Sequence, residues 1–323
     1  MQIDRRLVGF GLFLIAAGAT MVVIRQGLVS DQVARDAWTL WPLLLIGVGL
    51  SIVLAGRPGA ALGGLVIAVT LGTMLGGVAA TGVFPASGLC SGDRDRGTAF
   101  AEAGGNLGAR AHITISQDCG DLAVGTVAGS TWNVSGRSRD GRAPRIDSGL
   151  DTLRLRSPDG GPFDLGGTSA WNVVVPRDPG IDLDVSLNGG DGRILLGAAH
   201  LDAVAVEANA GSVDLDLRDA ASAADIKLEV NFGSATLRLP SLNTNARLSV
   251  NAGSAAICAP SGVGLRITLD SVAASNDFAD RGLMKVGNAW ETPGYATAEI
   301  RAEIRADVNA GSLSLDPARQ CAG

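Results

Sequence analysis

The residues best suited to chemistry are few. His112 and His200 are the only histidines in 323 residues. A serine nucleophile activated by a histidine needs its hydroxyl raised on a sharp turn, and no Gly-x-Ser-x-Gly elbow accompanies either one. Both imidazoles are therefore read as structural or surface groups. The stretch "NGGDGRILL" at 188–196 carries Gly189, Gly190 and Gly192 as calcium-binding Gly-Gly-x-Gly-x-Asp repeats do. Ile194 stands where the ligand aspartate would be, so no calcium is expected. Asp182 with Asp184 and Asp214 with Asp216 could furnish the acidic cleft of a polysaccharide-cleaving β-helix enzyme. Alternating acids on a strand more simply mark a solvated outer face. The expectation is a protein that is not an enzyme, with no catalytic residue, cofactor or metal.

Four cysteines remain: Cys90, Cys119, Cys258 and Cys321. None forms a Cys-x-x-Cys pair, and two histidines supply too few partners for a zinc site. An even number, all placed after an apolar N-terminal region, reads as two disulfides outside the cytoplasm. Four cysteines allow three pairings. Proximity favours Cys90–Cys119, which leaves Cys258–Cys321; buried free thiols are the alternative.

The elements that must position these residues fall into two parts. Residues 1–89 hold five Arg against three Asp, and the remainder carries −8 to give −6 overall. An acidic larger part with only two lysines, Lys227 and Lys285, excludes nucleic acid as a partner, since that needs a basic face. The positive mean hydropathy points to membrane segments. Residues 7–24, 38–55 and 60–84 are uncharged, and each is about long enough to cross a bilayer core of about 30 Å as a helix. Trp38 and Trp41 suit an interfacial belt and Pro42 a first helical turn. Gly72 and Gly76 would let another helix approach closely. The first run is too long for a cleaved signal peptide and lacks a cleavage site. Arginines flank both sides of these runs, so the positive-inside rule does not orient them. The cysteines do: with the N-terminus inside, three spans put residues 90–323 outside. The expected membrane domain is 1–89, and the expected extracytoplasmic domain 90–323.

The run "WPLLLIGVGL" at 41–50, preceded by the Gly-rich "LVGFGLFLIAAGA" at 7–19, resembles the LiaF/LiaI-type transmembrane region of bacterial cell-envelope stress proteins. The resemblance spans roughly residues 5–56.

The second part is repetitive. "VNAGS" stands at 250–254 and 308–312, with "ANAGS" at 208–212 and "VNFGS" at 230–234. The marker asparagines are Asn188, Asn209, Asn231, Asn251 and Asn309, a period near 21 residues with one long gap. That gap has room for two or three degenerate copies, one marked by Asn276. The flanks, such as Ile181 to Leu187, alternate apolar and polar residues, as a strand with one buried face must. Asn and Gly tolerate left-handed backbone, so Asn209 with Gly211, Asn231 with Gly233, Asn251 with Gly253, and Asn309 with Gly311 read as sharp turns. Stacked coils would pair their backbones and fill a shared interior, with the asparagines as a ladder on one edge. The expected fold is all-β: a single-stranded right-handed β-helix, or solenoid, after a three-helix transmembrane region. Its coils are most regular over about 170–316, and a hairpin-built β-sandwich is the alternative. Residues 298–308 read as a strand, 157–167 as a loop, and "WNV" at 132–134 and 171–173 as two early, diverged coils.

The repeated coils, together with "GLMKVGNAWETPGY" at 282–295 and the final strand, resemble the adhesin-type "toast-rack" β-solenoid domains. These are similar to the C-terminal domains of LiaF-like and phage-shock-protein-C-like membrane proteins. The likeness implies envelope sensing or surface contact, and brings no catalytic residues. The function expected is membrane-anchored envelope-stress sensing or regulation. A surface adhesin or structural module, and a carbohydrate-active enzyme, are the alternatives. The partners expected are membrane lipid, membrane proteins contacting the helices, and other copies of the solenoid.

Overall fold

The computed structural model describes residues 69–71, 90, 97–158, 169–316 and 321. The chain divides into two compact units, Met1–Pro85 and Ala86–Gly323. In the first, Val69, Thr70 and Leu71 are helical, and the three expected spans otherwise lie outside the described residues. Among the described residues no helix is long and apolar enough to cross a membrane.

The second unit is nearly all strand among its described residues. In chain order these are β1 (Thr98–Ala99), β2 (Ala103–Asn106), β3 (Arg110–Gln117), β4 (Gly120–Val127), β5 (Thr131–Ser138), β6 (Arg145–Ser148), β7 (Thr152–Arg156), β8 (Ser169–Pro176) and β9 (Gly180–Leu187). There follow β10 (Gly190–Leu195), β11 (His200–Asp216), β12 (Ser222–Arg238), β13 (Thr244–Cys258), β14 (Gly264–Asn276), β15 (Met284–Val286), β16 (Ala289–Glu291) and β17 (Arg301–Leu315).

Alternation gives these strands one buried face. In β12, Ile226, Leu228 and Val230 turn inward while Lys227 and Glu229 turn out. Past the corner at Gly233 the parity changes, and Ala235 and Leu237 become the inward pair. The sheet is thus folded along a line of corners, with one arm of each coil on either side and a common apolar interior. One inward row runs Ile113, Leu183, Val204, Ile226, Ala246, Ile304; the facing arm supplies Ile194, Leu215, Leu237, Ile257 and Leu315. Each is at most 3% exposed. Burial of that completeness stabilises by roughly 1.5–3 kcal/mol for each large side chain.

Neighbouring coils are parallel and in register, as a solenoid requires and a hairpin-built sandwich does not. Their spatial order departs from chain order at both ends. The stack runs β7/β8, β3/β4, β9/β10, β11, β12, β13, β17, β14. The first coil is inserted between the second and third, and β17 between β13 and β14. The corners supply a physical reason. Gly120, Gly190, Gly211, Gly233, Gly253 and Gly311 stack on one another. Ser169 and Ala274 stand at the two ends of that column. A corner Cβ would meet the carbonyl of the rung on the β8 side, so Ser169 is tolerated where the column ends, whereas Ala274, which still has Gly311 on that side, takes a backbone conformation outside the positive-φ region of the glycines.

The ends are finished with antiparallel strands. β6 covers the edge of β7, and β5, itself flanked by β1 and β2, covers β8. At the other end β16, paired with β15, covers only Arg266 to Thr268 of β14. There Phe278, Leu283 and Trp290 close the apolar interior.

Several readings change accordingly. Of the two "WNV" stretches, the second lies in the coil strand β8, whereas the first lies in the antiparallel cap β5. The long gap before Asn309 holds one coil, β14, followed by the β15–β16 hairpin and a 3₁₀ turn at Tyr295–Thr297. Asn276 pairs with Leu313, beyond the ladder. The last strand begins at Arg301 and runs through the corner. Most of the expected 157–167 loop lies outside the described residues.

Candidate functional site

The sequence-predicted corner residues come together on one edge. Asn209 donates its side-chain N–H to Asn188 Oδ1 at 2.9 Å, and Asn231 does the same to Asn209 at 2.6 Å. Asn251 donates to Asn231, and Asn309 to Asn251 at 2.7 Å. The series ends where Asn188 donates to Asp118 Oδ1 at 2.9 Å. Every amide points the same way, toward a carboxylate that can only accept. Asp118 was not foreseen. "DCG" at 118–120 occupies the place of "NAG", and the Asp-for-Asn exchange hid it. Replacing Asn231 by Ala strands the Asn209 oxygen that accepts from it and the Asn251 N–H that donates to it. It should cost about 1–2 kcal/mol, read as a lower unfolding midpoint without loss of the fold. A midpoint equal to wild type would remove the ladder as a stabilising element.

Beside this edge Gly211, Gly233, Gly253 and Gly311 have φ between 128° and 149°. The carbonyl oxygen of one rung occupies the space a Cβ of the next would need. Cys90 pairs with Cys119 and Cys258 with Cys321, leaving no free cysteine. The first disulfide sits beside Asp118 at the foot of the ladder. The second joins the end of β13 to the residues after β17.

The four aspartates considered for an acidic cleft are not gathered. Asp182 and Asp184 lie on β9, on one arm; Asp214 and Asp216 lie on the other arm, past the corner of β11. Asp184 faces His112 at 3.3 Å, and Asp214 pairs with Arg238. Burial alone would raise the Asp216 carboxyl, but hydrogen bonds from the Arg218 side chain and backbone outweigh it and hold it below its usual range. That interaction stabilises the fold above the unfolded carboxyl value near 4, and fades as pH falls through the lower folded value. His200 Nδ1 lies 3.0 Å from the Arg177 carbonyl. Among the described residues no group of three or more His, Cys, Asp or Glu could hold a metal.

What does gather is a groove of about 350 Å³ on the outer face of the first arm. Register sets Lys227, Arg247 and Arg305 side by side on successive rungs, with spacing of about 4.8 Å. Asp225, Asn245 and Glu303 line the opposite wall, and Ala203 and Ala205 lower one end. Lys227 pairs with Glu229 at 3.3 Å. Arg247 and Arg305 form no ion pair among the described residues. Glu303 accepts from the Tyr295 hydroxyl at 2.9 Å. Burial and that carboxylate push the Tyr295 phenol up. Each of these residues alternates outward in the sequence, but only the register places them together.

Two family models match the chain. The LiaI-LiaF-like transmembrane region matches residues 8–53, and the N-terminal domain of toast_rack, DUF2154, matches residues 109–239. Among solved structures, a candidate cell adhesion protein from Clostridium sporogenes ATCC 15579 is similar at 13% identity and a TM-score of 0.44, over 67% of this chain and 98% of that one. A candidate adhesin from Bacteroides fragilis NCTC 9343 is similar at 9% identity and a TM-score of 0.29, over 67% of this chain and 96% of that one. A comparison with curated proteins finds no match. The chain therefore joins a LiaF-like transmembrane region, which implies association with a membrane, to a β-solenoid that matches the toast-rack model.

Proposed function

We propose that this is a multi-pass membrane protein that senses or regulates the state of the bacterial cell envelope by binding, with its solenoid held outside the cytoplasm. The observation that carries the reading is the joining of a LiaF-like membrane region to a domain closed by two disulfides. Disulfides persist in oxidising compartments, which supports an extracytoplasmic domain. Binding, not turnover, is assigned to the domain. The helices would meet membrane partners, while the Lys227–Arg247–Arg305 groove offers an envelope component a row of cations beside a row of acids.

The expected outcome in intact cells is that, after reduction, a membrane-impermeant maleimide labels Cys90 and Cys321, the partly exposed members of the two pairs. Labelling seen only after permeabilisation would sink the outward placement. Deleting 90–323 should alter the transcriptional response to an agent that damages the envelope, and an unaltered response would remove the regulatory role.

A further inference from the structure

The two ends of the stack are finished differently. At one end β5 and β6 cover both arms of the terminal coil. At the other, β16 covers Arg266 to Thr268, and no described residue pairs with the outer edge of 269–276. An uncovered strand edge presents unpaired N–H and C=O groups and templates further pairing. Proteins blunt such edges with charge, proline or a covering element. Here Asp270 is the one charge on that edge, and the rest, 271–276, reads Ser-Val-Ala-Ala-Ser-Asn, without charge or proline. At the ladder position, where the inner rungs carry Asn, this rung carries Val272, 86% exposed. The amide ladder thus stops at Asn309, and an apolar side chain faces solvent beyond it.

We propose that this edge is where a second copy of the chain docks, making a closed pair with the two β14 edges antiparallel. Three observations select that occupant. Each described domain has one such open end, because the other is capped over both arms. Copies can therefore join end to end only once, by a twofold, and cannot continue as a filament. β14 bends at its corner, so a partner edge must bend at the same place. A twofold through Ala273–Ala274 lays corner on corner and sets Val272 of one copy against Ser275 and Asn276 of the other. Over 271–276 the facing residues are neutral, and the first like charges to come opposite, Asp270 and Asp277 of the two copies, fall just outside that six-residue contact and limit its length. The pairing does not rest on which side of the membrane the domain occupies.

The test uses the full-length chain in isolated membranes, open on both sides. Mixed chains, half carrying Val272→Cys and half Ser275→Cys, the two positions that the twofold sets opposite one another, should form a disulfide-linked dimer on mild oxidation. Leu150→Cys, on a residue 75% exposed near the capped end, should not. Val272→Lys places a charge on an already exposed site, where it leaves the fold intact. It should lower the dimer fraction, measured by mass in lipid nanodiscs, by at least fivefold. A monomer throughout would overturn the proposal. So would a dimer that Val272→Lys leaves unchanged, equal crosslinking from position 150, or assemblies growing beyond two.

Discussion

Gly253→Ala should unfold the solenoid, although it adds a single methyl group in the interior of a chain rich in alanine. Gly253 has φ 149°, a conformation that side chains rarely adopt. An added Cβ would stand 1.9 Å from the carbonyl oxygen of Gly233 and 2.9 Å from its carbon. Both are backbone atoms of the preceding rung, so no rotamer change relieves the clash. The rung must move, and the rungs on either side are bonded to it along both arms. Backbone strain with lost ladder hydrogen bonds places the cost at about 4 kcal/mol or more. That is a large share of the roughly 5–15 kcal/mol that holds an ordinary domain folded. Gly125→Ala is the matched control, since nothing lies within 4 Å of its would-be Cβ. Limited proteolysis of the full-length protein in membranes should show 90–323 digested in the first variant and resistant in the second. Equal resistance would show that the glycine column is not under steric constraint.

The second large effect belongs to the Cys258–Cys321 disulfide. Its partners are 63 residues apart in sequence, and their Cα atoms lie 5.5 Å apart. A crosslink closing a loop of that length stabilises by about 4 kcal/mol through the unfolded chain. It also ties the end of β13 to the residues that follow β17, the strand inserted beside it. Changing both cysteines to serine should lower stability by about that amount, and reductant should reproduce the loss in the wild-type protein. Cys90–Cys119 closes a shorter loop, with a separation of 29, and its removal should cost slightly less. If reductant left the unfolding transition of the wild type where it was, the disulfides would have no part in holding the fold.

Much of this architecture is written locally. "VNAGS" and its variants mark the corner, and the alternation on either side marks which face is buried. Together they yield the coil, the asparagine ladder and the glycine column. The order of the rungs is not local. Every repeat carries the same apolar alternation, so hydrophobic pattern alone cannot say which coil neighbours which. The information lies in single exceptions: Ser169 and Ala274 stand where the other coils have glycine, and both coils are terminal. Asp118 escaped because the ladder was sought as asparagine, when the last acceptor needs no donor of its own. The Lys227–Arg247–Arg305 row was unreadable for a related reason. Arg305 reaches the row only because β17 enters beside β13, which sequence spacing does not encode.

The insertion of β17 also dictates when the domain can be finished. Among the described residues β14 has no parallel neighbour except β17, and β17 is the last described strand. As the polypeptide emerges, rungs through β13 can assemble in turn. β14 then arrives with nothing to lie against, and the edge of β13 stays bare until residues 301–315 follow. Completion must therefore wait until residues 301–315 have followed β14, and until then the half-built stack shows an open, apolar-backed edge to proteases and chaperones.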